Sequence, residues 1–143
     1  MLLTGGGYLL DLDKEFSRYF NIISTTPFTK TMESRITQAV KLTVRHPEFN
    51  KKRPVLVVMI SENGSIGLTF PDDAQGHQGN FAFIRYTAFT EYYEIGTLTI
   101  LTEEFVHYFW DTHDEECTKI LVCEILPNVR LNSSKTQYVF DKL

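Results

Sequence analysis

The chain of 143 residues lacks any long apolar run, and this absence limits the class of protein it can be. Its longest uninterrupted apolar stretch, Val55 to Ile60, is far shorter than the ~20 residues that a membrane-spanning helix needs. The first ten residues also lack the cationic start and extended apolar core of a secretory signal. We therefore predict a soluble, intracellular protein of the cytoplasm that makes no membrane contact.

The chain has few of the residues that build disulfide, phosphate or metal sites. Its two cysteines, Cys117 and Cys123, are too few to staple a domain of this size, so free thiols are expected. The run Gly5-Gly6-Gly7 lacks the Gly-x-Gly-x-x-Gly spacing of dinucleotide folds and predicts a turn. His107, His113 and Cys117 match no zinc-finger spacing. We predict no metal and no cofactor, with a metal site between His107 and Cys117 as the alternative to an exposed acidic loop.

Basic residues are missing from the middle of the chain. No Lys or Arg occurs from Tyr86 to Thr118, whereas eight acidic residues fall in that stretch. Residues 1–53 hold nine basic and five acidic side chains, for a charge of +4. Residues 54–126 carry −10 and residues 127–143 carry +2, which leaves the net charge of −4. The two charge sets either neutralise each other within the fold, form complementary surfaces between subunits, or leave a basic face that binds anions.

Apolar and aromatic residues, by contrast, are plentiful. The chain is 43% apolar and contains 11 Phe, 7 Tyr and 1 Trp. A disordered chain is excluded, because this composition buries enough surface to offset the entropy of folding. We predict a single globular domain over residues 1–143.

Hydrophobic periodicity predicts helices near the N-terminus. Within Lys30 to Arg45, Met32, Ile36 and Val40 fall on one arc at 100° per residue. Pro47 prevents the helix from continuing, and a shorter helix is expected to follow Asp11.

The rest of the chain reads mainly as strands. Strands are predicted at residues 21–25, 55–60, 65–70, 80–86, 96–102, 118–126, 129–131 and 137–140. The dipeptide Asn63-Gly64 favours a hairpin, and Thr102 is expected to cap a short helix that ends near Trp110. Together these elements predict an α+β fold, with a mostly antiparallel sheet and one or two N-terminal helices packed on one face.

The segregated charges supply the candidate binding residues. The basic candidates lie on the predicted helix and in the loop after it: Lys30, Lys41, Arg45, Lys51, Lys52 and Arg53. The acidic candidates are Glu91, Glu94, Glu103 and Glu104. Aromatic side chains beside the acids could anchor an interface. We therefore predict a non-catalytic protein–protein interaction module whose partner is a protein, with self-association as one form.

Two other functions are kept as alternatives. Ser24-Thr25-Thr26 resembles the Ser-Thr-Ser/Thr strand of ADP-ribosyltransferases, and this resemblance implies a small enzyme with an NAD pocket. In that family a later Glu is catalytic, and Glu91 or Glu94 would take its place, although the spacing departs by one residue. Too little chain precedes Ser24 for the family's usual first strand with its Arg. Anion or nucleic-acid binding by the basic helix and loop is the other alternative, disfavoured because the net acidity repels a phosphate backbone.

Overall fold

A computed structural model of the chain describes residues 7–62 and 80–141. The strands within these residues are β1 (Tyr8–Leu9), β2 (Phe20–Ser24), β3 (Leu56–Ser61), β4 (Phe81–Arg85), β5 (Val129–Leu131) and β6 (Tyr138–Phe140). The helices are α1 (Lys14–Ser17), α2 (Lys30–Arg45), α3 (Thr87–Thr90), α4 (Glu94–Phe109) and α5 (Glu115–Ile125). None of these helices is long and apolar enough to cross a membrane.

The α+β class is confirmed, but the prediction of a mostly antiparallel sheet is wrong, because the four-stranded sheet of the described residues is mixed. Strands β1 to β4 form one sheet in that order, in which β2, β3 and β4 run parallel and only β1 runs antiparallel. Strand β2 is joined to β3 through α2, and such a crossover returns the chain to run in the same direction. The predicted hairpin at Asn63-Gly64 and the strand after it lie outside the described residues.

Helix α2 matches its predicted limits. Thr29 precedes it, and its hydroxyl accepts a hydrogen bond from the backbone N–H of Met32 (3.1 Å). The predicted apolar arc is buried and belongs to the same core as the buried residues of the strands. The more specific prediction, that the N-terminal helices pack on one face of the sheet, stays a prediction.

Two predicted strands are wrong, because residues 96–102 and residues 118–125 of the predicted 118–126 strand are helical. In α4 the buried positions run consecutively from Thr97 to Thr99, so burial does not follow one helical stripe. Thr99 is accommodated in the helix because its hydroxyl donates to the carbonyl of Ile95 (2.8 Å). Thr102, predicted to cap a helix, is instead a buried residue in the middle of α4.

Helix α5 begins with an aspartate cap that sequence analysis did not single out. The side chain of Asp114 accepts a hydrogen bond from the N–H of Cys117 (2.8 Å), and Glu115 and Glu116 fill the first turn. Acidic residues are favourable there because the helix N-terminus carries a partial positive charge. The acidic run is therefore a helix start and not the predicted loop.

Aromatic rings occupy the centre of the core. Phe105 and Phe20 are in contact with ring centroids 4.8 Å apart, and Phe20 also meets Phe109 at 5.1 Å. Phe49, from the loop after α2, packs on Phe109 at 4.5 Å. The first strand after α1, helix α4 and this loop thus share one aromatic cluster.

The strands predicted at residues 129–131 and 137–140 are confirmed as β5 and β6, which pair antiparallel as a hairpin. A tyrosine side chain joins this hairpin to α4. The hydroxyl of Tyr138 donates to a carboxylate oxygen of Glu103 (2.5 Å). Burial raises the pKa of Tyr138 well above its ordinary value, and the hydrogen bond to Glu103 raises it further.

This raised pKa makes stability depend on pH in the alkaline range. Because the folded pKa exceeds the unfolded value of about 10, the contribution is complete below pH ~10 and is lost as the pH rises above it. We expect the unfolding free energy of the wild-type protein to fall above pH ~10, and Tyr138→Phe to flatten that fall while lowering stability at pH 8. Urea denaturation at a series of pH values measures both effects. Tyr93→Phe, at an exposed phenol, is the control and should retain the wild-type slope.

Candidate functional site

The structure divides the six basic candidates among three regions. Lys30 and Lys41 line one hollow on α2, together with Ser34 and Gln38. Arg53 lies elsewhere, with its guanidinium 4.5 Å from the centre of the Tyr108 ring. The remaining three, Arg45, Lys51 and Lys52, are exposed at the end of α2 and in the loop after it.

The acidic candidates are likewise divided, and two of the four line a hollow together with a basic candidate. Glu94 shares a hollow with Lys30, and Glu104 shares a cleft with Arg53. Glu103 accepts the hydrogen bond from Tyr138 described above, and Glu91 is exposed at the end of α3. Two pairs of opposite charges that are separated in the sequence, Lys30 with Glu94 and Arg53 with Glu104, therefore line the same hollows in the fold.

The first candidate site is a surface that we call the α2–α4 face. It comprises three adjoining hollows, and each hollow shares at least one lining residue with each of the other two. The shared residues are Lys30, Ser34, Gln38 and Glu94. The largest, about 520 Å³, is lined by Gln38, Tyr93, Glu94, Ile95, Leu98, Pro127, Asn128 and Asp141. Tyr93 is 89% exposed, and Tyr92 beside it is also exposed. An apolar hollow bordered by an exposed phenol and by charges of both signs is suited to protein contacts.

Arg35 fixes the backbone of the segment that carries Tyr92 and Tyr93. We call the segment from Phe89 to Thr97, with its hydrogen bonds to Arg35, the corner. Nη1 of Arg35, on α2, donates to the carbonyls of Phe89 (3.2 Å) and Tyr92 (3.0 Å). The same nitrogen lies 2.8 Å from the hydroxyl oxygen of Thr97, which itself donates to the carbonyl of Ala88. Because α3, α4 and the residues between them are tied to α2, the backbone of Tyr92 is held in place.

The second candidate site is a polar cleft of about 380 Å³ beside the C-terminal half of α4. It is lined by Arg53, Asn80, Phe81, Ala82, Glu104, His107, Tyr108, Asp111 and His113. Burial raises the pKa of Glu104, and the nearby His107 opposes that rise in part. The cleft therefore combines a partly desolvated carboxyl group with two imidazoles.

The hydrogen bonds of His107 indicate its tautomer. Its Nδ1 lies 2.8 Å from the carbonyl oxygen of Thr112 and 3.4 Å from the hydroxyl of Thr118. A carbonyl oxygen only accepts, so Nδ1 carries the proton and donates it. In the neutral ring Nε2 then has a free lone pair. The ring of His113 lies nearly parallel, with centroids 6.2 Å apart.

His46 has the opposite arrangement. It forms, with Glu48 and Glu124, the one group of three metal-capable side chains within 4.8 Å of one another in the part of the chain described. The backbone N–H of Glu48 donates to its Nδ1 (3.1 Å), and its Nε2 lies 3.2 Å from a carboxylate oxygen of Glu124. The proton is therefore on Nε2, where it lies between that nitrogen and the carboxylate oxygen of Glu124. A metal bound to both of these atoms would have to replace it. This group is a hydrogen-bonded clamp between the end of α2 and α5.

The residues with nucleophilic or NAD-binding potential serve local structure. Ser24 ends β2 and is fully buried, and its hydroxyl oxygen accepts the N–H of Thr26 (3.1 Å). The Ser24 to Thr26 triplet lines neither the α2–α4 face nor the polar cleft. The hydrogen bond with Asp114 raises the pKa of the Cys117 thiol, and burial raises that of Cys123, so neither thiol is activated.

Comparisons of the chain with protein-family models, with curated proteins and with solved structures find no significant match. The candidate sites therefore depend on their geometry alone. Sequence analysis did not single out Tyr92, Tyr93, Arg35 or Asn80. The pair Tyr92-Tyr93 between two acidic residues is the one visible signal in the sequence of the exposed aromatic rings on this face.

Proposed function

We propose that this protein is a non-catalytic interaction module that binds a second copy of itself through the α2–α4 face. The observation that carries the proposal is Tyr93, 89% exposed beside an apolar hollow of about 520 Å³. A cytoplasmic setting is part of the proposal and is supported by the free thiols of Cys117 and Cys123.

The charges on this face favour a second copy as the partner. A two-fold interface brings the same surface of both subunits together, so that surface has to be self-complementary. Lys30 and Lys41 supply positive charge and Glu94 supplies negative charge on one face. None of the three forms an ion pair with another side chain of the described residues. Lys30 of one subunit can thus pair with Glu94 of the other.

The α2–α4 face carries both an exposed aromatic ring and an apolar hollow in which such a ring can pack. Ile95, Leu98 and Pro127 line the hollow into which the Tyr93 ring of a second copy would pack. Tyrosine is enriched among residues that dominate binding energy, since it buries a large ring and keeps a polar tip. Each subunit carries both the ring and the hollow, as a two-fold contact requires.

We expect sedimentation equilibrium to show a monomer–dimer equilibrium that weakens as salt is raised. Tyr93→Ala should raise the dimer dissociation constant about 30-fold or more, since a central aromatic anchor contributes about 2 kcal/mol or more. Phe140→Ala, which truncates an exposed ring outside this face, is the control and should leave the constant unchanged. A wild-type protein that stays monomeric at every concentration and salt level overturns the proposal.

A charge exchange tests the pairing itself. Lys30→Glu alone should weaken the dimer, because it sets like charges opposite each other. Lys30→Glu combined with Glu94→Lys should restore much of the lost affinity. If the double variant is as weak as the sum of its single variants, the Lys30–Glu94 contact between subunits is wrong.

A further inference from the structure

The polar cleft is separate from the proposed contact surface. It shares no lining residue with the hollows of the α2–α4 face. Two imidazoles and two carboxylates, from Glu104, His107, Asp111 and His113, line it. Self-association gives none of these side chains a role.

His107 has the orientation that metal-binding histidines require. A metal takes an unprotonated ring nitrogen, and the other nitrogen of such a ring almost always donates to a carbonyl or carboxylate. Nδ1 of His107 makes that contact with the Thr112 carbonyl at 2.8 Å. The lone pair on Nε2 has no partner among the described residues. At His46 the backbone N–H of Glu48 donates to Nδ1, so the proton is on Nε2 and neither ring nitrogen offers a free lone pair. The group of His46, Glu48 and Glu124 is therefore less suitable for a metal, although its side chains lie close together.

Glu104 adds a carboxylate on the same helix. It precedes His107 by three residues in α4, a spacing that brings two side chains to one face. It is partly buried and forms no hydrogen bond or ion pair with a side chain of the described residues. A partly buried carboxylate without a partner is costly, and a cation would offset that cost.

His113 is the candidate for a third ligand, because it lines the same cleft. Two imidazoles that bind one ion through nitrogens at 2.0–2.1 Å have ring centres roughly 5 Å apart. The observed separation from His107 is 6.2 Å. His113 is exposed and belongs to the short connection between α4 and α5. The donor atoms of Glu104, His107 and His113 do not all lie within 4.8 Å of one another, so His113, on the exposed connection, has to move toward His107 to complete the site.

We propose that the polar cleft binds one divalent transition-metal ion through Glu104, His107 and His113. Two imidazoles and one carboxylate suit zinc, iron and related ions, and leave coordination positions open. The remaining space of the 380 Å³ cleft can hold water or a small ligand on the ion. Arg53 also lines the cleft, but its guanidinium lies over the Tyr108 ring.

The test is a titration of the full chain with Zn²⁺ by calorimetry, and with Co²⁺ by absorption spectroscopy. We expect one ion per chain, with affinity at least 30-fold lower in His107→Ala and in His113→Ala. Glu104→Gln should also weaken binding, because an amide oxygen carries no charge. His46→Gln is the matched control, since it removes a histidine from the other cluster, and it should bind as the wild type does. Circular dichroism of each variant verifies that it is folded.

Two results overturn the proposal. The first is the absence of Zn²⁺ and Co²⁺ binding to the folded wild-type protein. The second is binding that His46→Gln abolishes and His107→Ala leaves intact, which would assign the ion to the clamp between α2 and α5. Dimerisation is measured separately and without metal, so failure of the metal site leaves the proposed self-association untouched.

Discussion

Replacing Phe105 by alanine is expected to lower the free energy of unfolding by about 3–5 kcal/mol. Phe105 is completely buried in α4, and its ring packs edge-on against Phe20 of β2 at 4.8 Å. Truncation removes the transfer free energy of the ring and leaves a cavity that the helix and the sheet cannot fully close. Since native domains have only about 5–15 kcal/mol of stability, this loss would leave the protein close to unfolding at 37 °C.

Urea denaturation followed by circular dichroism measures this loss. Phe83→Ala removes the same ring from a position that is 57% exposed on β4 and is the matched control. It should change the unfolding free energy by about 1 kcal/mol or less, because exposed residues contribute little. Similar losses in the two variants would contradict the assignment of Phe105 to the core.

Elements governed by local patterning were predictable. Helix α2 has one apolar arc, a threonine cap and a proline after its end, so propensity, burial and termination agree. The β-branched run at residues 55–60 was predicted to be a strand, and it forms β3, which lies between β2 and β4. The short hairpin β5–β6 was also predictable, because turn-forming residues separate its two strands.

Elements whose environment is set by distant contacts were not predictable. Residues 96–102 alternate in polarity as a strand does, yet the segment is helical because α2, α3 and α5 all pack against α4. Burial on several sides removes the single apolar stripe by which a helix is recognised. The direction of β4 was also hidden, because a parallel pair depends on the crossover and not on the strand itself.

The candidate sites show the same limit. Both charge sets were visible in the sequence, but the proximity of Lys30 to Glu94 follows from the packing of α2 against the start of α4. The tautomer of His107 depends on the carbonyl of Thr112, which positive φ at Asp111 helps to turn back toward the helix. Sequence supplies the side chains of a site, whereas tertiary contacts decide which nitrogen is free.

Replacing Arg35 by methionine is the second large effect that we expect, a loss of about 2–3 kcal/mol of unfolding free energy. A single guanidinium nitrogen contacts two carbonyls and the hydroxyl of Thr97, so its removal leaves two partly buried acceptors and the exposed carbonyl of Tyr92 without their donor. Arg18→Met, at an exposed arginine, is the control and should change stability by about 0.5 kcal/mol or less. Chemical denaturation of both variants gives the comparison.

Thr97→Val tests whether Arg35 stabilises the protein through its hydrogen bonds at the corner or only through its charge. Valine keeps the shape of the completely buried threonine and removes the hydroxyl that joins Arg35 to Ala88. Since the two side chains share one network, the double variant should lose less stability than the sum of its single variants. Arg35→Met should also weaken the dimer, because the corner presents Tyr92 and Tyr93. Additive losses of stability with an unchanged dimer would show that Arg35 does not position the contact surface.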